Sequence, residues 1–480
     1  MKNWKSYLNP LWVFILASMG SRWPTFFNYL DKDEGTYIAI GQELNSGAQL
    51  YLDVLDLKPP LGLWLFQWME FLFDEHVFLY RLLLSILIGI IACMIFVIQQ
   101  RMGGSELAAW FSGTLFIFLH YFQFALTFNF EFLMIFFTVL GVLLYVTMDK
   151  KLVAGLSIGL AFCVKYLCLM DFLALALLVV YDHRKNLKIG QWRNSLAALW
   201  RLGVGFAIPF LFVNIYFAYE GFWNEFSFIS YVAPGNYSSN TSFLEKLDFI
   251  FNFHLTHLFY LLLFYIALFS KKLNPRQKWF YFSWFLAAIV GTQLTGQQFK
   301  HYLIQTVPAL ALMAGCVVDI KHSWFNSITS NFSHENKLSR KAIFVMTLLF
   351  LIAGIFNYFD HFKETAPLQK IGTYLEDNLE PSDNIYAANC CAYLYSKCDR
   401  RPLNEYIHGR LFVRDVHIRT LNIDVDKELK EIQRARPEYV ILKNEYRWPS
   451  FKKFLDEEYE LVFQADRGYS VLKRSSLSSK

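Results

Sequence analysis

Two groups near the amino end of this chain have side chains suited to chemistry. One is the carboxylate of Asp33, with Glu34 beside it, and the other is the ammonium of Lys58, 25 residues further on. A carboxylate held in a fixed direction can take a proton from a hydroxyl. Lys58 stands just before Pro59 and Pro60, and proline suits the first position of a helix. The amides of Leu61, Gly62 and Leu63 would then lack intrahelical partners, so a cation meets a helix amino terminus, which is a natural anion cradle. A proton acceptor and an anion cradle suit displacement of a phosphate leaving group by a hydroxyl. Plainer roles exist for both: Asp33 as a helix N-cap, and Lys58 as an interfacial lysine on lipid headgroups.

The elements that must position them follow from the local pattern. After Asp33, the residues Tyr37, Ile40 and Leu44 fall at helical spacing and Gly47 supplies a stop. This predicts a short helix lying on the membrane face. A second interfacial helix is predicted from Pro60 through "LGLWLFQWMEFLF". Asp53 and Asp56 lie in the connector, where Asp most often serves a turn, although Asp56 is close enough to Lys58 to share a substrate-binding role.

This polar stretch interrupts an oily chain. The 480 residues are 55% hydrophobic and 18% charged, well below the quarter typical of soluble proteins. Apolar runs long enough to span a bilayer recur from residue 8 to about 360. The reading is an α-helical polytopic membrane protein with about eleven transmembrane helices, near 8–28, 77–98, 106–123, 128–148, 152–166, 167–182, 197–218, 249–269, 279–297, 302–320 and 341–360. Lys165 and Asp171 interrupt one long run, and Lys165 is read as the tip between spans five and six. Lys and Arg concentrate in alternate loops, which puts the amino terminus in the cytoplasm. The loop at 31–76 and everything after 360 then lie outside. The net charge of +5 is mostly this bias and not a nucleic-acid footprint.

From 361 to 480 the composition becomes that of a small soluble α/β domain. "LQKIGTYLEDNLEPSD" and "VDKELKEIQRARP" read as helices, "NIYAA" and "EYVILK" as buried strands, and "YELVFQADRGYSVLKR" as a hairpin turning at Asp466–Gly468. Cys398 is placed to form a disulfide with Cys390 or Cys391 in an oxidising compartment.

Further polar residues sit in apolar surroundings. Glu131 opens the fourth span, and an ionisable group there is a functional candidate by default. His301 and Tyr302 open the tenth span beside Lys300 and offer donors to a phosphate or a sugar; an aromatic interface belt explains them equally well. Arg81 starts the second span, where it pairs with a phosphate or snorkels. His254 and His257 are too few for a metal site. No cofactor is implied, and no acidic cluster demands a divalent metal.

The run "DEGTYIAIGQEL…YLDVLDLKPPLG" resembles the first-loop signature of bacterial polyprenyl-phosphate-dependent glycosyltransferases. These are similar to the protein O-mannosyltransferases and the ArnT-type lipid A aminoarabinose transferases (glycosyltransferase family 39, GT-C fold). "KHYLIQTVPALALMAG" at 300–315 and "NFEFLMIFF" at 129–137 resemble late and middle spans of that family. The resemblance implies Asp33 as catalytic carboxylate, with Glu34 positioning water, substrate or Asp33. It implies Lys58 as a donor-phosphate ligand and agrees with Glu131 as a substrate contact, while Arg81, His301 and Tyr302 are candidate donor-phosphate ligands by their positions at the outer ends of spans. One departure stands out: Leu57 occupies the position where many relatives carry His or Glu before Lys-Pro-Pro.

The function so implied is transfer of a sugar from a polyprenyl-phosphate donor to a lipid, glycan or protein acceptor. A transporter or flippase of lipid-linked sugars predicts repeated halves and broken helices at the midplane, and the charged groups cluster at the outer edge instead. A non-catalytic membrane scaffold leaves the polar first loop without a purpose.

Overall fold

The computed structural model describes residues 7–27, 29–30, 32–119, 126–184, 191–237, 242–294, 296–320, 352, 359, 365–409, 411–444 and 446–475. The expected span at 341–360 lies outside these, apart from Ile352 and Phe359. So do residues 238–241.

The apolar runs form helices. They comprise α1 (Leu8–Arg22), α2 (Lys32–Asn45), α3 (Pro60–Phe73), α4 (Val77–Arg101), α5 (Glu106–Leu119), α6 (Phe130–Met148), α7 (Lys151–Val164) and α8 (Leu169–Asp182), followed by Trp192–Tyr219, Phe243–Thr256, Leu258–Phe269 and Pro275–Leu294. A last stretch, Lys300–Asp319, begins and ends in 3-10 turns. By length and composition, Val77–Arg101, Phe130–Met148, Trp192–Tyr219 and Lys300–Asp319 can each cross a bilayer, and one bent pair adds a fifth candidate among the described residues. Trp200, Leu211, Phe212 and Ile215 are exposed along Trp192–Tyr219, the mark of a lipid-facing surface. The chain is a multi-pass helical membrane protein with a small sheet near its carboxyl end.

Several expectations need correction. The first span is shorter than 8–28: its α-helix ends at Arg22, and Pro24 follows within a 3-10 turn, since proline cannot continue the hydrogen-bond ladder. The run at 249–269 is not one straight span, because it bends by 90° near His257. There Thr256 and His257 turn their side chains back onto Phe253 O, a local competition that weakens helical continuity. The run through 152–182 is two helices as expected, broken where Lys165 adopts an extended conformation. Lys165 lies in that break, as expected of a tip between the two helices, but its side chain is buried.

The chain divides into two units. One contains 1–24, 81–216 and 240–357; the other contains 25–80, 217–239 and 358–480, so the first loop and the tail share a unit. In the first, Gly141 on α6 lies against Ala154 and Ile158 of α7, a close approach that small residues permit between membrane helices. In the second, the tail forms a four-stranded mixed sheet in the order β1-β2-β4-β3, with β1 Ile385–Ala387, β2 Tyr439–Lys443, β3 Tyr459–Ala465 and β4 Tyr469–Arg474. β1 and β2 are parallel and the hairpin β3–β4 turns at Asp466–Gly468, as expected. Val440, Phe451, Phe454 and Leu455 form its core.

The tail cysteines are a further correction. Cys390, Cys391 and Cys398 are buried as thiols and not bridged. Burial pushes the Cys390 and Cys398 thiols up, to about 11 and about 12, which keeps them protonated and poorly nucleophilic.

Candidate active site

In the loop–tail unit the site is built on α2. Its two acids, Asp33 and Glu34, occupy the first turn, where the helix dipole favours negative charge. Asp33 therefore lies inside the helix and is not its N-cap. Every residue from Glu34 to Gly41 is buried, so α2 is enclosed instead of lying on a surface with one wet face. Two glycines explain how. A methyl group at Gly35 would stand 2.7 Å from Tyr393 Cβ and 2.9 Å from Cys391 Sγ, and one at Gly41 would meet the Phe66 carbonyl at 3.0 Å. The tail helix Tyr393–Lys397 thus presses on one side of α2 and α3 on the other. On α3 itself, Trp68, Phe71 and Leu72 are exposed, giving an apolar outer face.

The connector delivers Lys58. Tyr51 takes a left-handed backbone (φ 72°), stabilised by ring contacts to Phe217 and Phe226. Its hydroxyl donates to the Lys58 carbonyl at 2.7 Å. Asp53 accepts from the Gln49 amide at 2.7 Å and is thus a turn residue. Asp56 is different: its carboxylate accepts from both the amide and the ammonium of Lys58, at 3.1 and 3.0 Å. The same ammonium lies 4.8 Å from the centre of the Tyr37 ring, a cation–π contact. Tyr37 follows Asp33 by four residues, so it lies on the same face one turn along. Pro60 opens α3 as expected.

A residue that no local pattern announces joins this group. His408 Nε2 stands 3.7 Å from Asp33 Oδ1, with the two side chains 14% and 31% accessible.

The bundle unit holds a second cluster. Glu131, in the first turn of α6, is sealed and ion-paired with Lys165. His301 Nε2 is 3.8 Å from the same carboxylate oxygen. The Lys165 ammonium also lies 4.3 Å from the Tyr302 ring centre, and that ring meets His301 edge-on. Glu131, His301 and Tyr302, expected from sequence, are thus brought together, and Lys165 is the residue that sequence reasoning missed. Behind them Asp171 accepts hydrogen bonds from Trp284 Nε1 and Gln305 Nε2, both at 2.6 Å, and Gln305 also donates to the Leu167 carbonyl. This network ties the Lys165 break to the stretch carrying His301 and Tyr302. Arg81 and the unforeseen Arg22 are both buried and both donate to the Leu126 carbonyl, at 3.2 and 3.3 Å. An ionisable group inside an apolar run was the available signal for both missed residues.

No protein-family model matches the sequence, and no curated protein matches it. Solved structures do. Over 98% of this chain and 97% of the other, the fold is similar to the crystal structure of ArnT from Cupriavidus metallidurans bound to undecaprenyl phosphate, with a TM-score of 0.66 at 15% identity. The fold is that of ArnT. The apo form of the same protein matches with a TM-score of 0.65 at 14% identity, covering 98% of each chain. ArnT is a GT-C fold, so the architecture that the first-loop resemblance implied is the one observed. The likeness runs through both the helical bundle and the tail.

Proposed function

We propose that this chain is a membrane glycosyltransferase. It moves a sugar from a polyprenyl-phosphate donor to an acceptor hydroxyl on the outer side of the cytoplasmic membrane, with inversion at the anomeric carbon. The observation that carries this reading is the Lys58 ammonium resting on the Tyr37 ring, one helical turn from Asp33. A base on one short helix and a phosphate ligand resting against that helix suit a direct displacement. The ArnT structure bound to undecaprenyl phosphate supports a donor of that class.

In this reading Asp33 takes the acceptor's proton as its oxygen attacks the anomeric carbon. The carbon–oxygen bond to phosphate breaks, and its electron pair leaves with the polyprenyl phosphate. Lys58 meets the developing negative charge, held in place by Asp56. Glu34 positions water, substrate or Asp33; in the bundle unit, taken by itself, Arg81, His301 and Tyr302 offer donors to an anion, and Glu131, ion-paired with Lys165, is that cluster's polar contact. Eleven crossings, a cytoplasmic amino terminus, and a boundary near 360 between transferase domain and outer tail complete the proposal.

The test has two parts. Mass spectrometry of envelope glycolipids and glycoproteins, with and without the gene, should show the loss of one sugar modification. In purified protein, Asp33→Asn should lower turnover about 10²- to 10⁴-fold while undecaprenyl phosphate still binds. Normal turnover by that variant removes Asp33 as base.

A further inference from the structure

The tail's role in a membrane-embedded reaction is not evident from its sheet, but one of its loops reaches the candidate base. His408 brings an imidazole nitrogen 3.7 Å from Asp33 Oδ1. We propose that His408 is a positioning residue for Asp33, so that the tail completes the active site. The inference rests on the glycosyltransferase reading above.

The loop holding His408 is fixed by its backbone. Glu405 O accepts from the Leu55 amide of the connector at 2.9 Å, and His408 O accepts from the Leu411 amide at 2.8 Å. Ile407 and Leu411 on either side are 3% accessible. Gly409 comes so close to the Ala388–Asn389 backbone that an added methyl would lie 3.2 Å from it. The helix bearing Asp33 is pinned to the tail from its own side, through Gly35 against Tyr393 and Cys391. The backbones that carry both partners are thus anchored independently of the contact they make, so the fold itself brings the two side chains together.

Its chemical use follows from what a base needs. A carboxylate that rotates about its Cβ–Cγ bond presents its lone pairs to an acceptor hydroxyl only part of the time. An imidazole N–H directed at Oδ1 fixes the plane of the group. The 3.7 Å separation is about half an ångström beyond an ordinary hydrogen bond, and such contacts commonly tighten when substrate closes the site. The proton balance of the transfer is unchanged, since Asp33 remains the group that receives the acceptor proton.

The test uses the full chain in nanodiscs. It is supplied with a panel of undecaprenyl-phosphate pentoses and hexoses, and with envelope extract from cells lacking the gene as acceptor. His408→Ala should lower kcat about 100-fold, the scale of a misplaced catalytic group, with donor KM and undecaprenyl phosphate affinity within about twofold of wild type. His408→Gln, whose amide nitrogen can donate to the same oxygen, should recover at least tenfold of that loss. In the Asp33→Asn background, His408→Ala should cost nothing further, because the two act as one unit. Wild-type kcat in His408→Ala overturns the inference, as does a loss that Gln does not restore or that adds fully to Asp33→Asn. A wild-type chain that transfers no sugar from any donor fails earlier and differently: it overturns the glycosyltransferase reading, and this inference with it.

Discussion

The two polar clusters solve the same problem by opposite means. In the bundle unit, Glu131 is sealed from solvent and meets a cation, Lys165, with His301 and the Tyr302 ring completing its surroundings. In the loop–tail unit, Asp33 is about a third exposed, and Lys58 keeps a quarter of its surface while Asp56 beneath it is buried. The bundle cluster is the kind of arrangement that low dielectric demands, since a buried charge must be paired or be very costly. The loop–tail cluster keeps its reactive ends accessible and buries only their supports. Chemistry that accepts a hydroxyl from outside the protein fits the second arrangement, and a preformed electrostatic framework fits the first.

The largest effect expected from breaking this contrast is on the bundle. Glu131→Ala leaves the Lys165 ammonium buried without its carboxylate, and such losses cost about 3–5 kcal/mol. The expected result is a sharply lower melting temperature in detergent. Replacing both partners, as Glu131→Leu with Lys165→Met, should restore most of the stability, because an apolar pair of similar volume avoids the desolvation of two ions. A single variant that melts like wild type would mean that the pair is not a structural necessity.

The loop–tail cluster should respond in function first. Lys58→Ala removes a charged donor from the proposed phosphate site, a loss of about 1.5–3 kcal/mol in binding. Donor KM and the affinity for undecaprenyl phosphate should both weaken by about 10- to 100-fold. Asp56 is 3% exposed and would lose its cation, so the double variant Lys58→Met with Asp56→Asn separates lost donor binding from lost stability. Unchanged donor dependence in either variant removes Lys58 from the site.

The contrast also explains what could be read in the sequence. The loop–tail elements were legible because local rules set them: Pro60 begins α3, Gly47 follows the end of α2 with φ 94°, and Asp466–Gly468 turns a hairpin. Asp33 and Lys58 stood out because they were polar groups at turn and helix boundaries. Lys165 was misread because its partner Glu131 is 34 residues earlier, and a lysine between two apolar runs looks like a loop until tertiary packing buries it. The enclosure of α2 was hidden for the same reason: Gly35 and Gly41 look like weak helix residues, and only the approach of Tyr393 and Phe66 gives them a purpose. His408 had no local signature at all. A single histidine in a soluble tail means nothing until the fold carries it to Asp33. The 90° bend after Thr256 was equally silent, since hydropathy averages across it.

The smallest expected effect separates the units by pH. In the bundle, Glu131 faces Lys165 and Asp182 faces Arg276, acid against cation. At the end of α3, by contrast, Glu70, Asp74 and Glu75 set acid against acid. Burial, and then the neighbouring Glu70 charge, pushes the Glu75 carboxyl from 4.5 up to about 7, with Lys397 pulling the other way. Between those two values the folded protein holds a proton that the unfolded chain has released, so stability contributed by Glu75 is present below about 4.5 and lost as pH rises through about 7. Glu75 is only partly buried, so this contribution is on the order of 1 kcal/mol after allowance for solvent screening. Glu75→Gln mimics the protonated form at every pH. It should therefore melt like wild type at pH 4.5, above wild type at pH 8, and show a shallower decline between. Glu70 and Glu43, raised in the same direction by burial, leave a residual slope in the variant. A variant that melts below wild type at pH 8 would mean that the Glu75 charge is stabilised by Lys397 more than burial and Glu70 oppose it, and the proposed asymmetry between the two units would fail at this position.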